Sequence, residues 1–122
     1  MLVLAWSEEA LCHPVLAGLL TPGGEFAAQS LVFTASNPTV EQLFDAWRAT
    51  RDFAPRVVVG VGGGTILDVA KSLCCLYGRD LQDVDDLRAQ IAAGSLHPSA
   101  RWIGVPTTAG TGSEVTCWAT IW

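Results

Sequence analysis

The sequence predicts an α/β domain built on a doubly wound, mostly parallel sheet, and three observations carry that expectation. Short β-branched apolar runs alternate along the chain with amphipathic helical stretches. Of the 122 residues, 50% are hydrophobic and only 16% are charged, as strands buried on both faces require. The run from Val57 to Lys71, VVVGVGGGTILDVAK, passes from strand to helix through three consecutive glycines with no linker.

Each element has a local reason. Leu2 to Trp6 reads as a strand. Ser7 is placed to cap a helix starting at Glu8, with Glu8 and Glu9 at its positive end, and Pro14 limits or kinks that helix. Thr21-Pro22-Gly23-Gly24 is a turn. Ser30 to Ala35 reads as a second strand. Thr39-Val40-Glu41-Gln42 has capping-box form and opens a helix with Val40, Leu43, Phe44 and Trp47 on one face. Pro55 ends that element, and Arg56 to Val61 is the third strand.

The helix after the glycines puts Ile66, Val69, Ala70, Leu73 and Tyr77 on its apolar stripe and leaves Asp68, Lys71, Ser72 and Cys75 outside it. Gly78 stops it. Asp83 to Ala93 is a further amphipathic helix with an acidic start, stopped by Gly94. Arg101 to Val105 is a strand, and Val115 to Trp122 is apolar enough to be one more. No internal repeat, low-complexity tract or linker interrupts the pattern.

Composition bounds the function. This length makes one domain with a real core. The net charge of −5 argues against nucleic acid, whose phosphates need a basic face. No apolar run is long enough to span a membrane, and the apolar start Met1 to Trp6 is followed at once by Glu8 and Glu9, unlike a signal peptide. Cys12, Cys74, Cys75 and Cys117 form no CxxC pair and read as small buried hydrophobes in a reducing cytoplasm. An apolar composition also fits one part of a larger protein or a self-associating chain.

The glycine turn carries the chemistry. Glycines let backbone approach a ligand closely, and the N–H groups opening the next helix lack partners within it. Helix dipole and free donors together suit a phosphate. A tight turn that binds nothing is the bland alternative, and three glycines in a row are a costly way to build one. No Gly-Lys-Ser/Thr closes the loop as in a Walker A motif, and Thr65 stands where the last glycine of GxGxxG belongs.

The string resembles the GGGSxxDxAK motif of the iron-containing alcohol dehydrogenase family, with Thr65 in place of the serine. Pro106 to Thr116 reproduces the family's PTTAGTGSEVT segment, and Asn37-Pro38-Thr39 resembles its NPT. The resemblance implies the Rossmann-like nucleotide-binding fold shared with glycerol dehydrogenase and dehydroquinate synthase. It implies NAD or NADP as cofactor, with Gly62, Gly63, Gly64 and Thr65 at the pyrophosphate. Thr107, Thr108, Thr111 and Thr116 then belong to the cofactor-binding set. Asp68 and Lys71 match family positions, but an i,i+3 pair supporting the helix explains them equally well. Asn37 either approaches the adenine or caps the next helix, and Glu114 reads as a structural carboxylate.

Two departures qualify the resemblance. Many relatives end the first strand in Thr-Asp, whose acid holds the adenosine ribose; here Trp6-Ser7 stand there, which leaves NAD and NADP both open. Relatives also bind a divalent metal, iron or sometimes zinc, through one Asp and three His of a helical second domain. This chain has only His13 and His97, each before a proline, which read as loop or cap residues. The expectation is therefore a dinucleotide-binding domain over residues 1–122, a fragment or truncated copy without metal ligands or catalytic residues of its own. The whole would move hydride between NAD(P)H and a small aldehyde or primary alcohol as a cytoplasmic homo-oligomer. The ending Ala119-Thr120-Ile121-Trp122 resembles phosphonoacetaldehyde reductase-like members, which implies that substrate. The alternative is a non-catalytic nucleotide-binding module.

Overall fold

A computed structural model describes all 122 residues. Strands β1 (Leu2–Ala5), β2 (Gln29–Val32), β3 (Val57–Gly62) and β4 (Arg101–Pro106) form one sheet in the order β2-β1-β3-β4, with every pair parallel. The helices are α1 (Glu8–Leu11), α2 (Pro14–Leu19), α3 (Val40–Thr50), α4 (Gly64–Leu76) and α5 (Val84–Ala92).

Alternation along the strands sends side chains to two cores. Leu2, Leu4 and Val58 point to a larger cluster formed with α3, α4 and α5; Val3, Ala5, Val59 and Val61 point to a smaller one with α1 and α2. The expected doubly wound parallel sheet is what forms. In the larger core the polar groups are matched: Trp47 Nε1 donates to the Leu76 carbonyl at 3.1 Å, and the Thr50 hydroxyl lies 2.8 Å from the Tyr77 hydroxyl.

Local chemistry sets the helix ends. The Ser7 hydroxyl accepts from the Ala10 N–H, and the Thr39–Gln42 capping box forms with both its bonds. Gly78 and Gly94, at φ +79° and +62°, end α4 and α5 in the left-handed region that glycine favours. Pro14 starts a new helix instead of kinking the first, because a proline at the first helical position lacks only an N–H that has no partner there.

Two expectations are corrected. Val115 to Trp122 forms no strand; it is an irregular segment whose last residue bonds to the turn before α3, with Trp122 N–H donating to Pro38 and Val40 N–H donating to Trp122. The expected i,i+3 pair of Asp68 and Lys71 does form, 3.1 Å between Oδ1 and Nζ, with side chains only 13% and 8% exposed. Of the cysteines, Cys74 is buried and Cys75 half-buried, but Cys12 and Cys117 are exposed, and all are free thiols. The second strand is also shorter than expected and starts one residue earlier.

Close approach of α4 to β3 explains two glycines. A Cβ on Gly62 would lie 2.6 Å from Cγ1 of Ile66, and one on Gly60 would lie 2.8 Å from Cβ of Ala70. The opposite face of β3 and β4 is less well covered. Ile103 and Val105 stay exposed there, beside Trp6, Val15 and Phe26, around an apolar groove of about 970 Å³.

These contacts give two expected outcomes. Gly62→Ala lowers the unfolding free energy by roughly 1–3 kcal/mol, the usual effect of overpacking. Gly18→Ala, in α2 with nothing within 4 Å of its Cβ, raises it by up to about 1 kcal/mol through helix propensity. Urea denaturation reads both, and equal effects would contradict the packing argument. A third outcome concerns alkali. Burial pushes the Cys74 thiol and the Tyr77 phenol both up to about 12, from ordinary values of 9.0 and 10.0. The folded chain therefore keeps both protonated after the unfolded chain has begun to ionise. Their stabilisation is complete below pH 9 and is lost as the pH rises from there toward 12. The urea midpoint should fall across that range, and less steeply in Tyr77→Phe.

Candidate functional site

From β1 the chain runs to β2 on one side, then crosses back to β3 on the other. The carboxyl edge between β1 and β3 is thus a switch point, where open α/β sheets place their ligands. Strand β3 delivers Gly62 and Gly63 to that edge, and α4 starts there. It is the longest helix, with 13 residues, and the only α-helix without a side-chain cap. Ser7, His13, Thr39 and Asp83 cap the other four. Its first N–H groups, from Gly64 to Ile66, precede the Leu67 N–H, which bonds the Gly63 carbonyl at 3.2 Å.

These donors lie beside a polar cleft of about 350 Å³ built from four stretches of chain. The turn before α3 supplies Ser36, Asn37 and Pro38; α4 supplies Gly64, Thr65 and Asp68. The loop after β4 supplies Thr111 and Ser113, and the C-terminal segment supplies Thr120 and Trp122. The Thr65 hydroxyl donates to the Ser36 carbonyl at 2.7 Å, which ties the turn to the start of α4. The loop after β4 rests on the glycines: a Cβ on Gly63 would be 3.1 Å from Oγ1 of Thr108, and one on Gly64 would be 2.9 Å from Cγ2 of Thr111. The glycines are needed by the chain's own packing as well as by any ligand.

No Lys or Arg lines the cleft. Its one charged lining group, Asp68, is neutralised by Lys71 Nζ, 3.1 Å from Oδ1, at an angle that makes an ionic contact without a hydrogen bond. Oδ2 accepts from the Thr120 N–H at 3.0 Å. The positive character of the site comes from backbone donors and the α4 dipole alone.

The structure thus gathers Asn37, Gly64, Thr65, Asp68 and Thr111 around one cleft, with Gly62 and Gly63 in the turn behind it and Thr108 against Gly63. Two expected site residues stand elsewhere. Thr107 continues β4, its N–H donating to Gly62 at 3.0 Å, and lines the apolar groove on the other face. Thr116 receives the Lys71 ammonium on its hydroxyl at 3.2 Å. Asn37 is not the cap of α3, a role that Thr39 takes, and is exposed at the rim. Glu114 is exposed, with no hydrogen bond or ion pair, so it is no structural carboxylate. Sequence reasoning missed Ser36, Ser113, Thr120 and Trp122; only the position of Ser36 beside Asn37-Pro38-Thr39 hinted at any of them.

His13 caps α2 through Nδ1, and His97 is exposed in a loop. No three His, Cys, Asp or Glu side chains come together as a metal would require. No helix is long and apolar enough to cross a membrane.

A parallel doubly wound sheet with a glycine turn and an uncapped helix at its switch point defines a Rossmann-like α/β domain. The chain belongs to the iron-containing alcohol dehydrogenase family, which residues 5–122 match. It is 43% identical over 79 residues to a phosphonoacetaldehyde reductase of Streptomyces viridochromogenes, covering 62% of this chain and 20% of that protein. It is 31% identical over 85 residues to an NADPH-dependent butanol dehydrogenase of Clostridium saccharobutylicum, covering 70% of this chain and 22% of that one. Among solved structures, an iron-containing alcohol dehydrogenase of Thermotoga maritima superposes with a TM-score of 0.72 at 25% identity, over 94% of this chain and 32% of that one. Sulfoacetaldehyde reductase of Bifidobacterium kashiwanohense, in complex with NAD+, gives 0.68 at 27% identity, over 95% and 30%. The chain spans about a fifth of the length of these curated relatives and about a third of these structures.

The tie between turn and helix gives a direct test. Thr65→Val is expected to cost about 1 kcal/mol, the net worth of one hydrogen bond, and Thr65→Ser to restore it. Urea denaturation of the two variants reads the difference, and equal stabilities would mean that the hydroxyl holds nothing.

Proposed function

We propose that residues 1–122 form the nucleotide-binding domain of an NAD(P)-dependent alcohol dehydrogenase or aldehyde reductase. The observation that carries this is the uncapped N-terminus of α4, opening on a polar cleft at the β1–β3 switch point. Gly63, Gly64 and Thr65 present backbone N–H donors for a pyrophosphate, in a place where no side chain competes for them. Asn37 and Thr111 both line the cleft, each able to hydrogen-bond the sugar or base of a bound nucleotide. When bound, the nicotinamide cofactor supplies or accepts the hydride. The chain's own residues bind and orient it, and membership of the family, together with the named activities of its relatives, supports the reading.

Several finer points belong to the same reading. Strand β1 runs into Trp6 and Ser7, and the Ser7 hydroxyl is engaged in capping α1. With no carboxylate in that place, a 2′-phosphate meets no repulsion there, so NADP is accepted at least as well as NAD. The substrate is a small aldehyde, and two relatives named for phosphonoacetaldehyde and sulfoacetaldehyde favour a short one. The 122 residues do not fit a divalent metal, since no ligand cluster exists in them. A homo-oligomer is also part of the proposal, supported by the uncovered apolar face of β3 and β4.

Trp122 lines the cleft, so tryptophan fluorescence reports binding. Titration with NADPH and NADH is expected to quench it saturably, with NADPH no weaker than NADH. Gly63→Val, which crowds the turn against Thr108, is expected to abolish the quenching while leaving the circular dichroism unchanged. No saturable change with either nucleotide would overturn the assignment, as would undiminished affinity in the variant.

A further inference from the structure

A buried ammonium is tolerated only when its charge and its hydrogen-bonding protons find partners. Lys71 lies in the middle of α4, and its side chain is only 8% exposed. It has one carboxylate partner, Asp68, on its own helix. Its hydrogen-bond acceptors all belong to the C-terminal segment: the Thr116 carbonyl at 3.4 Å, the Thr116 hydroxyl at 3.2 Å and the Trp118 carbonyl; the Trp102 ring of β4 adds a face 5.7 Å from Nζ. Asp68 reaches the same segment through the Thr120 N–H. Two residues further on, Trp122 exchanges two backbone hydrogen bonds with Pro38 and Val40, at 2.7 and 2.8 Å, beside Asn37.

The segment alternates as it crosses the helix. Cys117, Ala119 and Ile121 line a small apolar cavity of about 230 Å³ against α3, α4 and α5. Thr120 and Trp122 line the polar cleft on the other side. One extended stretch therefore separates an apolar space from the cleft, held along α4 by the Asp68–Lys71 pair and at its end by the Trp122 backbone bonds.

We propose that Asp68 and Lys71 are positioning residues, a clasp that fastens Thr116–Trp122 across α4 as the outer wall of the cleft and thereby sets its affinity for a nucleotide. The second half rests on the nucleotide reading above; the first half does not. Asp68 is accordingly no phosphate ligand, since its oxygens face Lys71 and Thr120 and a carboxylate offers an anion no donor. With the clasp closed, the wall is in place before the ligand arrives, and its ordering does not count against binding.

Amide hydrogen exchange in the 122-residue chain tests the clasp, and fluorescence titration with NADPH tests the wall. In Lys71→Met, the Thr120 and Trp122 amides are expected to exchange about tenfold faster or more, a factor in keeping with the loss of a charged hydrogen-bond partner. Amides of β3 are expected to hold their protection. Thr116→Val, which keeps both charges buried and paired, is expected to shift the same amides in the same direction, and Thr116→Ser to restore them. NADPH affinity is expected to fall in step, several-fold in Lys71→Met. Unchanged exchange in both Lys71→Met and Thr116→Val would overturn the clasp; Thr116→Val decides alone if Lys71→Met fails to fold. Faster exchange with undiminished affinity would overturn its role as a wall. A wild-type chain that binds no NADPH would overturn the nucleotide reading and the wall together, and exchange would still decide the clasp.

Discussion

Everything at the functional edge depends on how closely α4 sits on β3. Gly60 and Gly62 leave no side chain between strand and helix, so Ile66 and Ala70 drop directly onto the strand backbone. A Cβ at either position would push the helix outward and tilt its N-terminus away from the edge. Because the helix begins at Gly64, immediately after the strand, the same closeness aims its free N–H groups at the switch point. It also fixes which flank of α4 faces the turn before α3 and which faces the C-terminal segment. The cleft is a consequence of that packing.

A chain this apolar makes a polar cleft because parallel strands all end at one edge. Four connections meet there, and each has to satisfy its own backbone groups. The turn before α3 does so with the Thr39–Gln42 box and with Thr65 on the Ser36 carbonyl. The loop after β4 does so through Thr107 on Gly62 and Ser113 on Thr111. Only α4 brings donors that no other part of the chain caps. An unpaired donor is tolerable where water or a ligand reaches it, which makes this edge the place in the molecule suited to an anion.

Strands and helices were legible because their periods, caps and glycine stops are local. The glycine turn, Thr65, Asn37 and Thr111 were legible for the same reason, each lying in a short motif. What failed were inferences that treated a residue's character as its location. Lys71 and Asp68 read as an i,i+3 pair outside the apolar stripe of α4, and the pair forms, but it is buried. Their burial comes from a segment some 45 to 52 residues away, which no helical wheel contains. Val115 to Trp122 reads as a strand from its apolar content alone. Its residues divide an apolar cavity from a polar cleft, where a strand would divide core from solvent. Cys12 and Cys117 were assigned to the interior by residue type, and both lie outside.

The absence of a cation from the cleft shapes how it can recognise anything. Lysine and arginine attract anions over a Debye length, whatever the anion's exact place. Backbone N–H groups act at contact distance and along fixed directions, so their strength falls steeply when a phosphate sits askew. A site of this kind depends on its walls for affinity, because they decide where the phosphate rests. Lys71, one turn along α4 from the cleft, is neutralised by Asp68. The charge a looser design would have aimed at the ligand is used here to hold a wall in place. Recognition at this edge is then a matter of shape and donor geometry, with little contribution from long-range attraction.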